Sequence, residues 1–139
     1  MERSDYAYLA GLLDGEGCIE ARPSGPGRWV RACVEVCMTN RAPLNWAHKI
    51  TGIGSVYAPK ERRNNRRQPW KWVISDPQKA AHLLRDVLPF MRVKKAEAMA
   101  FVMLASIRKL TPPGGRRPHV KAELMACKII ALAKEAGGL

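Results

Sequence analysis

Long apolar runs are absent from this sequence. A membrane-crossing helix needs about 20 predominantly apolar residues, and no segment here is a continuous span of that kind. No N-terminal signal is visible either, because the acidic residues Glu2 and Asp5 interrupt the first turn. The expectation is a soluble, intracellular chain with no membrane partner. Cysteine pairs are also missing. Cys18, Cys33, Cys37 and Cys127 form no C-x-x-C pair and His48, His82 and His119 are scattered, so neither a zinc ribbon nor a two-Cys, two-His finger can be drawn. The thiols read as reduced, small buried hydrophobes rather than redox or metal groups. There is no internal repeat, and 139 residues make one domain, 1–139, long enough for a core and too short for two. Acidic residues are few. Against 24 Lys and Arg stand 12 Asp and Glu, a net charge of +12 that biases the chain toward a polyanion. An acidic membrane surface would also accept that charge, but without an apolar span nucleic acid is the first expectation.

What the chain does have is the stretch Ala7-Tyr8-Leu9-Ala10-Gly11-Leu12-Leu13-Asp14-Gly15-Glu16-Gly17. From Tyr6 to Leu13 every residue is apolar, aromatic or glycine, and a short helix with no polar face must be buried on all sides. Ala7, Gly11 and Gly15 recur every four positions and so share one side, where missing side-chain bulk lets a second backbone come close. Leu9, Leu12 and Leu13 are left for the protein's own core. Asp14 and Glu16 stand at the C-terminal end, where the macrodipole is already negative, so their charge needs a positive partner; a divalent cation is the obvious candidate. Gly15 and Gly17 fit a left-handed helix stop and a turn that leaves Glu16 projecting from a fixed corner. The plainer alternative is a capped core helix ending in a solvated glutamate.

Leu9-Ala10-Gly11-Leu12-Leu13-Asp14-Gly15-Glu16-Gly17 resembles the signature of the LAGLIDADG homing endonucleases, allowing Leu for Ile, Gly for Ala and Glu for Asp. Only one copy is present. The resemblance implies a homodimer, whose two copies would supply the close helix pair through Ala7, Ala10, Gly11 and Asp14.

Ser4 or Asp5 can cap this first helix, expected over 5–15. Residues 18–22 alternate as a half-buried strand, 23–27 form a turn, and the alternation resumes from Arg28 to Met38. Val30, Ala32, Val34, Val36 and Met38 then share the core face, leaving Trp29, Arg31, Cys33, Glu35 and Cys37 on a readable surface. Thr39 or Asn40 caps a helix carrying Leu44, Trp46, Ala47 and Ile50 and ending at Gly52; strands follow at Ser55–Lys60 and Trp70–Ser75. Asp76-Pro77 opens a helix stopped by Pro89. A long helix runs from about residue 95 to Leu110, residues 111–118 form a Pro/Gly linker, and a last helix occupies about 119–136. The fold class is α+β, and the element order matches the αββαββα plan of the resembled family: an antiparallel, saddle-shaped sheet with helices on one face and C-terminal helices appended.

Between the third and fourth strands, Lys60-Glu61-Arg62-Arg63-Asn64-Asn65-Arg66-Arg67-Gln68 carries five basic residues and one acid. Such a run is often a solvated loop. On a hairpin tip it also suits DNA, since a two-stranded ribbon fits the major groove and Arg reads base edges or clamps phosphates. Arg22, Arg31, Glu35 and Lys71 on the same sheet face extend that surface, so the DNA-contacting set is expected to include these with Lys60, Arg62, Arg63, Arg66 and Arg67.

The resemblance also implies chemistry. Two Glu16 carboxylates meeting across a twofold axis would share Mg2+ with the scissile phosphates and the Gly15 carbonyl, with Mn2+ substituting and Ca2+ supporting binding without cleavage. Asn40 matches a polar residue that helps order the attacking water, although it could instead cap the following helix. Lys94, in Leu88-Pro89-Phe90-Met91-Arg92-Val93-Lys94-Lys95, matches a lysine that stabilises charge on phosphate, with Lys95 as its neighbour. One turn after Asn40, where a basic residue is frequent in the family, this chain has Leu44. Asp14 is expected to be structural. The expected function is a metal-dependent double-strand break with staggered ends at a long, near-palindromic target, at an intron or intein insertion site. The alternatives are a non-catalytic binder on the same scaffold, either a maturase or a DNA-binding regulator, and a basic RNA-binding protein, which explains the charge but not the motif.

Overall fold

The structure, a computed structural model, describes residues 1–24, 29–60, 67–110 and 120–137. In chain order the elements are α1 (Arg3–Glu16), β1 (Gly17–Ser24), β2 (Trp29–Met38), α2 (Ala42–Thr51), β3 (Ser55–Tyr57), β4 (Trp70–Ile74), α3 (Pro77–Val87), a 3-10 turn (Leu88–Phe90), α4 (Lys95–Lys109) and α5 (Val120–Gly137). The protein is α+β, with one antiparallel sheet in the order β1-β2-β4-β3. The linker expected over 111–118 lies outside the described residues.

The start of α1 lies earlier than its sequence suggests. Glu2, rather than Ser4 or Asp5, is the N-cap, and Asp5 reaches back to accept the Glu2 N–H at 2.9 Å, half of a capping box. The end differs too. Neither Gly15 nor Gly17 is left-handed: Gly15 is the penultimate helical residue and Gly17 has φ −83° and ψ 155°. Helix passes into β1 without a loop. Gly17 is required there by closeness, because a Cβ would lie 2.6 Å from Leu13 O and 2.8 Å from Leu13 Cα.

The core lies between the helices and one face of the sheet. Leu9, Ala10 and Leu13 of α1 pack with Val34, Val36, Trp72 and Ile74 from the strands, Leu84 of α3 and Phe101 and Leu104 of α4, all essentially inaccessible. Alternation in β2 falls as expected for Val30, Ala32, Val34 and Val36, while Arg31 and Cys37 stay exposed. Cys33 departs from this pattern. It is on the open face yet buried, with its Sγ donating to Glu20 Oε2 at 3.7 Å, because a short side chain between Glu20, Arg31 and Glu35 is overlaid by longer ones.

β3 stops at Tyr57, short of the expected Lys60. Tyr57 pairs with Lys71, so two steps further the register would set Pro59 opposite Pro69. Neither has an N–H to donate, and the ladder ends. Asp76 caps α3 as expected, its Oδ1 accepting the N–H groups of Gln78 and Lys79 at 2.9 and 3.3 Å. Helix α5 is tied back by Arg108 of α4, whose guanidinium donates to the buried Glu123 carboxylate and to the Val30 carbonyl.

Candidate metal and nucleic-acid site

The C-terminal end of α1 is a corner at which three segments meet. The last carbonyls of a helix lack intrahelical partners, and here Leu13 O accepts both the Gly17 N–H and the Lys94 ammonium, the latter at 3.1 Å. The same ammonium donates to Gly17 O. The negative end of the helix is therefore offset by a side chain of the chain itself. Lys94, singled out by its place after the Pro-Phe element, thus stands at the motif corner, partly buried. Lys95 is exposed and lines a different surface.

Asp14 spends both carboxylate oxygens inside the chain. Oδ2 accepts the Arg92 N–H at 2.7 Å and Oδ1 the Lys94 N–H at 3.0 Å, fixing the segment that presents Lys94. Asp14 therefore bonds within its own chain at the helix end. Gly15 and Glu16, by contrast, are exposed, and Glu16 makes no ion pair or hydrogen bond among the described residues. Nor do the described residues contain a cluster of three His, Cys, Asp or Glu able to hold a metal. One chain therefore presents a single free carboxylate, Glu16, beside the exposed Gly15, too few ligands to hold a divalent cation by itself.

The free side of α1 carries Ala7, Gly11 and Gly15, all exposed, with nothing within 4 Å of a Cβ built on either glycine. Beside it runs a groove of about 540 Å³ between Ala7, Gly11 and Asp14 on one wall and Pro89, Phe90 and Arg92 on the other. Ala10 does not belong to this side. It is fully buried in the chain's own core, because one residue round the helix from the exposed Gly11 is a turn of about 100°, and the dimer contact expected of Ala10 does not hold.

Asn40 is exposed just beyond β2, and its Oδ1 accepts the Ala42 N–H at 3.1 Å. The capping use of this side chain is the one realised, although the N-cap residue itself is Arg41. The amide NH2 remains. Leu44 is wholly inaccessible and faces the core. The basic side chain adjoining Asn40 is Arg41, absent from the sequence expectations: its guanidinium lies 4.1 Å from the Trp70 ring centre and donates to Asn45 Oδ1 at 3.3 Å.

On the open sheet face Arg22 and Arg31 are cross-strand neighbours. Arg22 pairs with Glu20 at 3.0 Å and Lys71 with Glu35 at 3.6 Å. Lys60 and Arg67 are exposed, whereas Arg62, Arg63 and Arg66 lie outside the described residues. All four cysteines are free thiols. Burial, followed by the nearby acids, pushes the Cys33 thiol above its ordinary value, and burial does the same for Cys127, which leaves both protonated and inert.

One further cation reaches the corner. Lys134 of α5 extends its ammonium to 3.6 Å from Cys18 Sγ, directly after Gly17. No local pattern could have flagged it, because 116 residues separate the pair.

No family model and no curated protein matches the chain. Solved structures do. The homing endonuclease I-CvuI, crystallised with a DNA target in the presence of Mg, superposes with a TM-score of 0.71 at 22% identity over 99% of this chain and 96% of that one. An archaeal intron-encoded homing endonuclease complexed with DNA gives 0.65 at 17% identity over 97% and 99%. The LAGLIDADG homing endonuclease I-SmaMI, bound to cleaved DNA, gives 0.66 at 12% identity, with 97% of this chain covering 45% of that one. The protein has the LAGLIDADG homing-endonuclease fold, and the nonamer that resembles the signature of that class forms the second half of α1 and its passage into β1.

Proposed function

We propose that the protein is a site-specific DNA endonuclease that works as a homodimer with a divalent metal. The observation that carries this reading is the unpaired, exposed Glu16 at a corner where Asp14 and Lys94 are already hydrogen-bonded within the chain, next to an exposed strip of small residues. Two chains joined along Ala7 and Gly11 bring two Glu16 carboxylates and two Gly15 carbonyls together, and the half-site of each chain becomes one shared site. Mg2+ is the expected ion, with Mn2+ replacing it and Ca2+ supporting binding only. Bound there, the metal supplies Lewis-acid activation of the phosphodiester.

The chain's own residues do the rest. Glu16 anchors the site, Lys94 faces charge developing on the phosphate, and the Asn40 amide NH2, left over from its capping bond, orients the attacking water. Hydrolysis transfers the water oxygen to phosphorus and expels one strand end, once per strand, giving staggered ends. Arg22, Arg31, Glu35, Lys71 and the 60–68 segment hold the duplex, and twofold symmetry requires a long, approximately palindromic target such as an intron or intein insertion site.

The test is cleavage of a randomised duplex library in Mg2+ by the wild type and by Glu16→Gln, with Ca2+ as the binding control. Breaks at one near-palindromic sequence, lost in the variant while binding persists, are expected. Binding without a cut would favour the second reading, a non-catalytic maturase or regulator, to which the buried Leu44 and the capping use of Asn40 lend specific weight.

A further inference from the structure

Glu97 is the buried acid that the proposed chemistry leaves unused. It occupies the third position of α4 and is 5% exposed. A glutamate at that position ordinarily reaches back to the N-cap N–H, but α4 has no side-chain cap bond, and the Glu97 carboxylate accepts no hydrogen bond among the described residues. Burying a carboxylate without such bonds is costly. What surrounds it is charge. Lys134 from α5 and Lys94 from the segment before α4 favour its ionised form, and Asp14 of α1 opposes it. These are the groups that gather at the junction of α1 and β1: Lys94 on the Leu13 and Gly17 carbonyls, Lys134 beside Cys18, Asp14 on the backbone that carries Lys94.

We propose that Glu97 is a shared counter-charge that orients Lys94 and Lys134 around the α1–β1 junction, a positioning residue that makes α5 part of the catalytic end of the molecule. Both ammonium groups reach the junction, Lys94 on its carbonyls and Lys134 beside Cys18, and the buried anion in the first turn of α4 attracts both while they repel each other. The catalytic consequence rests on the endonuclease reading; the electrostatic arrangement does not. Burial raises the Glu97 pKa above its ordinary 4.5, with Asp14 adding to the rise and the two lysines reducing it. A raised carboxyl pKa means that the unfolded chain releases this proton more readily. The fold therefore loses stability as pH rises from about 4.5 through the raised value.

Glu97→Gln keeps the shape and removes the charge, so it separates orientation from folding. In the full chain it is expected to unfold at the same temperature as the wild type or higher at neutral pH. It should bind DNA unchanged in Ca2+ and cut it about ten- to a hundredfold more slowly in single turnover, the usual loss when a group orienting a site residue is removed. Lys134→Gln should slow cleavage similarly, and the double variant no further, because the residues act as one unit. A second measurement needs no cleavage: in metal-free protein with labelled lysine side chains, the Lys94 and Lys134 ammonium resonances should move and broaden in Glu97→Gln as the two groups lose their fixed orientation. Resonances unmoved by Glu97→Gln overturn the proposal even where the wild type cuts DNA. A wild type that cuts nothing, with the resonances still displaced, sinks the endonuclease reading and leaves the counter-charge standing. A lower unfolding temperature in proportion to the slower cleavage would make Glu97 merely structural.

Discussion

At the scale of single residues, the motif corner depends on a glycine chosen for closeness rather than for dihedral freedom. The sequence suggested a left-handed stop, and the backbone at Gly17 is instead extended, a conformation open to any residue. What no other residue can do is approach Leu13 as closely as Gly17 does, with a Cβ only 2.6 Å from the Leu13 oxygen. That oxygen is also where the Lys94 ammonium binds. Gly17→Ala should thus destabilise the fold by about 1–3 kcal/mol, the range for forced overpacking, in urea unfolding. It should also displace Lys94, lowering cleavage by more than the stability loss accounts for. An alanine variant as stable and active as the wild type would show that the helix-to-strand passage can relax around a Cβ.

At the scale of elements, much of the architecture was legible because the signals were local. Alternation placed β2, Asp76-Pro77 opened α3, and the order of helices and strands gave the fold class. Three kinds of feature were not legible. The end of β3 depends on a cross-strand meeting of Pro59 and Pro69, which a one-strand pattern does not contain. The burial of Cys33 depends on the length of its neighbours. The coupling of Lys134 and Glu97 to the motif depends on where α5 docks. Helix α1 itself divides cleanly: Leu9, Ala10 and Leu13 face inward, and Ala7 and Gly11 face out. A Cβ at position 11 meets nothing in one chain, so Gly11→Leu should raise monomer stability by about 0.5–1 kcal/mol through helix propensity. It fills the space a second helix would need. Gly11→Leu is expected to sediment as a monomer, cleave nothing as a dimer would, and still unfold at or above the wild-type temperature. A Gly11→Leu protein that remains dimeric would move the subunit interface elsewhere.

At the scale of the whole molecule, the proposed function assigns affinity to the net charge of +12 and selectivity to the distribution of charge on the sheet. Lys71 and Arg22 are each held by an acid on the same face, Glu35 and Glu20, whereas Arg31 has no acidic partner within ion-pair distance among the described residues. A paired cation must leave its carboxylate to meet a phosphate, so it contributes less to non-specific binding than an unpaired one. Measured in Ca2+ across a salt series, Arg31→Ala should flatten the dependence of log affinity on log salt by about 0.9 for each phosphate that the guanidinium neutralises in the wild type. Glu35→Gln should do the opposite. It releases Lys71, tightens binding to unrelated duplexes and steepens the salt dependence, while the gap between cognate and unrelated DNA narrows. Equal weakening on both DNAs would instead mean that Glu35 serves only to position Lys71. The acids on a basic sheet would then be scaffolding, and discrimination would have to come from the 60–68 segment.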